Sequence, residues 1–219
     1  MTKREVLATI EAVGIVPAVR VSSADDALFV AEAIAAGGIP IVELTMTVPG
    51  AIDVISRLAR TRPEIVVGAG TVLSADTARC CLDAGALFLT SPGFDPEVVE
   101  AGRMREVAVF AGALTPSEVM AARKAGSDLI KIFPCAPAGG AAYIKTLRAP
   151  FPDVKLIASG GVNYHSAAEY IHAGAAALGI GGDLVPPAAI HLRQPHRIQE
   201  LARRFVARVN EARGEMAPQ

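Results

Sequence analysis

Eight short apolar runs rich in β-branched residues recur along the chain at intervals of 20 to 26 residues, and this recurrence limits the fold more than any other feature. They read "IVPAVRV" (15–21), "IPIVELT" (39–45), "EIVVGAG" (64–70), "ALFLTS" (86–91), "EVAVFAG" (106–112), "DLIKIFP" (128–134), "VKLIASGG" (154–161) and "AAALGIGG" (175–182). That interval is close to the minimum for a strand, a helix and two short loops. The stretches between the runs open on helix-start residues: Ser23 with Asp26, Ser74 with Thr77, Thr115 with Pro116 and Glu118, and Asn163 ahead of "YHSAAEYIHAG". Several end in glycine just before the next run, in "AAGGIP", "LDAGAL", "RKAGSD" and "IHAGAA", as expected where a chain leaves a helix through a left-handed residue. Eight βα units favour a closed (β/α)8 barrel over an open doubly wound sheet. A first helix, in "MTKREVLATIEAVG", precedes the first strand and is expected to cap the barrel bottom. A last helix over 197–213 alternates Arg and Glu on a solvated face, and the terminal "GEMAPQ" is expected to fray. No linker interrupts the pattern, so residues 1–219 are expected to form a single barrel domain.

With 52% hydrophobic residues among 219, the chain can bury a sizeable core without disulfides or a structural metal. Its 21 basic and 22 acidic residues leave a net charge of −1, which gives no electrostatic reason to expect a nucleic acid or an anionic membrane as partner. Apolar stretches are broken well before the about 18 residues of a membrane span, and the N-terminus lacks the apolar block of a secretory signal. A cytoplasmic location is the expectation. Three cysteines, two of them adjacent (Cys80 and Cys81), read as reduced thiols, and the four histidines lack metal-ligand spacing, so no metal is expected.

Barrel enzymes work at the C-terminal ends of their strands, so polar residues late in apolar runs are the candidates for chemistry. Of the five lysines, Lys131 alone has two apolar residues on each side, in "LIKIFP", and alternation puts it on the same side as Leu129 and Phe133. Glu43 shares a side with Ile41 and Thr45 and has no local cationic partner. If both point into the barrel, burial disfavours each isolated charge, which makes the amine a nucleophile toward a ketone and the carboxyl a proton shuttle. The bland alternative is a structural ion pair between them. Glycine turns at "SGGVN" (159–163) and "GIGGD" (179–183) follow the seventh and eighth strands, where barrels commonly hold phosphate, although glycine also ends strands for steric reasons alone. Thr71 in "GAGTV" and the "SPG" turn at 91–93 offer a hydroxyl and open backbone amides for a small carboxylate, or are ordinary turns. Arg20, at the end of the first strand, is either a bidentate anion donor or a surface arginine.

Taken in order and at these distances, "VELTMT", "GAGTVL", "SPGFDPE", "GALTPSE", "KIFP", "SGGVN" and "GIGGDLV" make the chain resemble the 2-keto-3-deoxy-6-phosphogluconate (KDPG) aldolase family, over about residues 5 to 210. That family includes 4-hydroxy-2-oxoglutarate (KHG) and 6-phosphogalactonate aldolases. The resemblance implies a class I aldolase that cleaves KDPG to pyruvate and D-glyceraldehyde 3-phosphate, with Lys131 as Schiff-base lysine and Glu43 as general acid and base. It makes Thr71 a carboxylate binder, lines the pocket with Pro92 and Phe133, and holds the phosphate on the backbone of Gly160, Gly161, Gly181 and Gly182. It further implies a homotrimer that needs no metal or organic cofactor, with a phosphorylated 2-keto acid and pyruvate as its small-molecule partners. Cys135, close to the lysine in sequence, gains no role from it. Two departures stand out. Thr47 occupies the place of an arginine that clamps the carboxylate in well-known members, and Arg20 is the expected substitute. Gly182 stands where a serine is common, which puts Asp183 beside the presumed phosphate. Two other readings fit the same barrel: a phosphosugar isomerase or epimerase with Glu43 as base, and a silent barrel that senses a phosphorylated metabolite.

Overall fold

In the computed structural model, which describes residues 1–216, eight parallel strands close into a barrel in chain order. They are β1 (Ile15–Val19), β2 (Ile41–Thr45), β3 (Val66–Gly70), β4 (Phe88–Thr90), β5 (Ala108–Ala113), β6 (Leu129–Ile132), β7 (Leu156–Ser159) and β8 (Ala177–Ile180). Seven of these lie wholly within the runs picked out above, and β5 overruns its own by one residue. The barrel shuts because β8 pairs with β1, Ile15 lying opposite Leu178. Around it stand α1 (Lys3–Val13), α2 (Ala24–Ala36), α3 (Ala51–Thr61), α4 (Ala75–Asp83), α5 (Pro96–Met104), α6 (Pro116–Ala125), α7 (Gly140–Arg148), α8 (Ala167–His172), α9 (Pro187–His191) and α10 (Pro195–Met216).

Local chemistry explains most helix boundaries. Ser23 accepts from the Asp26 amide and Ser74 from the Thr77 amide, while Thr115 and Glu118 satisfy each other's backbone in a capping box. Left-handed glycines, Gly38, Gly85, Gly126 and Gly174, follow α2, α4, α6 and α8. Two expectations need correction. The helix after Asn163 begins only at Ala167, because the Asn163 side chain accepts from the His165 and Ser166 amides and holds a separate turn ahead of it. The final helix is longer than 197–213, and of the terminal stretch expected to fray, Gly214 to Met216 are helical; residues 217–219 lie outside the described residues. Its face is not only solvated: Ile198, Ala202, Phe205, Val209 and Ala212 are buried, packing α10 against α2 and α8.

Inside the barrel, large side chains alternate with glycines. Phe88 and Phe110 stack with ring centroids 5.3 Å apart, and Phe88 fills the space that a side chain on Gly68 would need. Two residues further along the same strands, toward their C-terminal ends, the apolar filling gives way to Thr90 and Gly112, and on β6 to Lys131. No described helix is long and apolar enough to cross a membrane.

Candidate active site

Strands β2 and β6 face each other across an eight-stranded barrel, so the side chains of Glu43 and Lys131 meet only if both point to its axis. They do: Lys131 Nζ lies 3.0 Å from Glu43 Oε1 and 3.3 Å from Oε2, with the lysine 7% and the glutamate 2% exposed. The isolated charges supposed from the separate strands are therefore a mutually compensated pair. A third group joins them. Thr90, at the end of β4, is 1% exposed and its Oγ1 accepts from Nζ at 3.3 Å. Glu43 reaches the lysine by lying flat over Gly70 on β3, where any Cβ would collide with the carboxylate and with Cγ. At 3.0 Å the two groups are within reach of direct proton exchange.

The other candidates fall into two groups, one on the strand ends beside this pair and one around a separate cavity. Thr71 directly follows β3 with φ of 57°, a left-handed conformation that a β-branched residue rarely adopts and that costs on the order of 1–3 kcal/mol. Such strain marks a residue held for its position. The Pro92–Gly93 backbone lies against Gly112, whose Cα pairs with that of Lys131, so the "SPG" turn sits next to the lysine strand. Ser91 fixes the turn, donating to Gly93 O at 2.6 Å and accepting from the Gly112 amide at 3.3 Å. Thr45 donates to Val19 O at 3.0 Å and contacts the Thr47 hydroxyl at 2.8 Å, so Thr47 is engaged with its own strand.

Phe133, Gly160, Gly161, Gly181 and Gly182 line one cavity of about 250 Å³ together with Arg20 and Asp183. Gly160 and Gly161 both have positive φ (88° and 85°), a backbone shape open to glycine and rarely to other residues. Arg20, expected from sequence to serve the carboxylate, lines the same cavity as these glycines, as does the exposed Asp183. Thr71, Pro92 and the Lys131–Glu43 pair are not among the residues that line it.

Cys135 is buried, and burial pushes its thiol up to about 11, so it stays protonated and unreactive near neutral pH. Sequence reasoning missed Thr90 and Ser159. Thr90 closes an apolar run in which threonine is an ordinary strand residue, so no signal marked it. Ser159, buried at the end of β7 with its hydroxyl over Gly179, was visible only as part of a glycine motif.

A model of the family described as KDPG and KHG aldolase matches residues 6–201. The 2-dehydro-3-deoxy-phosphogluconate aldolase of Pseudomonas aeruginosa is 32% identical over 200 residues, covering 91% of this chain and 90% of the relative. The KHG/KDPG aldolase of Escherichia coli is 33% identical over 193 residues, covering 88% and 90%. Among solved structures, the KDPG aldolase of Legionella pneumophila, with pyruvate captured at low pH as a covalent carbinolamine intermediate, superposes with a TM-score of 0.84 at 35% identity, covering 90% of this chain and 96% of that one.

Proposed function

The chain belongs to the KDPG and KHG aldolase family, and on that premise we propose that Lys131 is the Schiff-base nucleophile and Glu43 the proton relay of its carbon–carbon cleavage. The protein is a lyase, a class I aldolase that splits KDPG into pyruvate and D-glyceraldehyde 3-phosphate. The observation that carries the residue roles is the 3.0 Å contact between a buried amine and a buried carboxylate at the C-terminal end of a closed barrel.

Glu43 takes a proton from Nζ, and the freed electron pair attacks the C2 ketone while the carbonyl pair moves to oxygen. That oxygen takes the proton back from Glu43. A second N–H proton passes through Glu43 to the same oxygen, which leaves as water, and the protonated imine remains. The carboxylate then removes the C4 hydroxyl proton, the C3–C4 pair flows into the imine, and the aldehyde departs. The enamine is protonated on C3 and hydrolysed to pyruvate, restoring the starting pair.

Around this centre, the strained Thr71 is assigned to the substrate carboxylate, and Pro92 and Phe133 to the walls of the pocket. The backbone of Gly160, Gly161, Gly181 and Gly182 is assigned to the phosphate. The cavity shared by Arg20 and these glycines supports giving the guanidinium to the phosphate end, where it offsets Asp183. KHG, which lacks the phosphate-bearing tail, is a slower second substrate, and 6-phosphogalactonate aldolase activity is the alternative specificity. We further read α1 as a cap on the barrel bottom, a reading supported by its packing against both β1 and β5 on opposite sides. Residues 1–219 are taken as one domain. A homotrimer is carried over from the family resemblance, and a cytoplasmic setting is supported by three free thiols.

Pyruvate release from KDPG, its 6-phosphogalactonate counterpart and KHG, measured side by side, tests the assignment. KDPG is expected to be turned over fastest, the Lys131→Ala protein to release nothing, and Glu43→Gln to turn over at least about a hundredfold more slowly. Full activity in Lys131→Ala overturns it.

A further inference from the structure

Lys131 Nζ is held from two sides, and only one of them has a part in the chemistry so far. Thr90 occupies an interior position of β4 that sits one alternation beyond Phe88, where an apolar residue of the same shape would fill the space without the cost of burying a hydroxyl. Its side-chain hydrogen bond among the described residues runs to Nζ. We propose that Thr90 is a positioning residue for Lys131: its Oγ1 retains one N–H of the reacting nitrogen at each stage, so that Glu43 is free to leave the nitrogen and serve the substrate. The inference rests on the aldolase reading of the site.

The geometry of nitrogen carries the argument. An ammonium has three N–H directions; Glu43 takes one through its two oxygens and Thr90 takes a second, which leaves the third for the substrate. After the proton has passed to Glu43, the neutral amine has two N–H groups and one electron pair. The new carboxylic acid is a hydrogen-bond donor, and a freely rotating amine would turn its pair toward that donor and away from the ketone. With one N–H anchored on Thr90, inversion at nitrogen exchanges only the pair and the second N–H, so the pair turns from Glu43 to C2 while Nζ keeps its place. In the protonated imine a single N–H remains. If Glu43 had to accept it, the same carboxylate could not take the C4 hydroxyl proton. Thr90 Oγ1, already in reach and unable to ionise in the working pH range, accepts it instead and fixes the imine plane against C3.

The test compares Thr90→Val, which keeps the shape and removes the hydroxyl, with Thr90→Ser, which restores it, in the full chain. Pyruvate release from KDPG and the rate of borohydride trapping with pyruvate are the two readouts. Thr90→Val is expected to lower kcat about tenfold or more with KM within about twofold, to slow trapping in parallel, and to leave Thr90→Ser within about threefold of the parent. Should Thr90→Val not fold, Thr90→Ala provides the same comparison. A hydroxyl-free variant with the parent's kcat and trapping rate overturns the inference, as does equal impairment of Thr90→Val and Thr90→Ser. If the parent itself traps no pyruvate, the aldolase reading fails; if the parent traps and only Thr90 proves dispensable, that reading stands and this inference falls alone.

Discussion

Lys131 and Glu43 announced themselves because each interrupts a run of aliphatic residues, and burying a charge is expensive enough that such an interruption needs a reason. What the runs do not contain is the relation between them. The two residues are 88 positions apart, and only closure of the barrel brings β2 opposite β6, so the pairing is a property of topology. Thr90 stayed hidden for the opposite reason: its hydroxyl is chemically mute until a partner is seen. Arg20 was legible as an anion donor but not as to which anion, since its direction depends on the cavity that the β7 and β8 turns enclose. With the guanidinium at the phosphate end, Arg20→Ala is expected to raise KM for KDPG about 10- to 100-fold, the loss of one charge-assisted hydrogen bond or pair, and to leave pyruvate trapping at the parent rate. Steady-state kinetics beside borohydride trapping checks this. Slower trapping together with the raised KM would instead assign Arg20 to the carboxylate, which pyruvate and KDPG share.

At the scale of elements, all eight strands and most helices were readable because alternation, caps and terminal glycines agree with one another. The parts not readable are short or tertiary. Helix α9 has five residues and begins on the second of two prolines, too little for a helical period to show. The extension of α10 past Arg213 runs through exposed residues, and a tertiary contact there, Glu215 with His172 at 2.9 Å, is encoded by no local pattern. Arg213 is what joins that helix to the N-terminal one: it donates to Ala12 O and Glu11 O, both at 2.7 Å, and to Ala176 O at 3.2 Å. It thus satisfies carbonyls at the C-terminal end of α1, where a cation also meets the favourable end of the helix dipole. Arg213→Ala is expected to cost about 1–3 kcal/mol, because one exposed and two half-buried carbonyls lose a charged donor. Urea unfolding followed by circular dichroism measures it, and an unchanged midpoint would show that α1 is held by its apolar face alone.

For the whole molecule, the account joins a closed parallel sheet to a reactive pair at its C-terminal end and to an assembly of three copies. The assembly predicts a sedimentation mass three times the 22.6 kDa of one chain, and a sharp monomer peak at micromolar concentration would remove that part without touching the chemistry. The chemistry itself stands on covalent capture of substrate by one nitrogen. Incubation with pyruvate and borohydride, followed by peptide mass spectrometry, addresses it most directly. The account predicts a single reduced pyruvyl adduct on Lys131, lost in Lys131→Ala and retained in Glu43→Gln; a protein that turns over KDPG with no adduct, or with the adduct on another lysine, would contradict it.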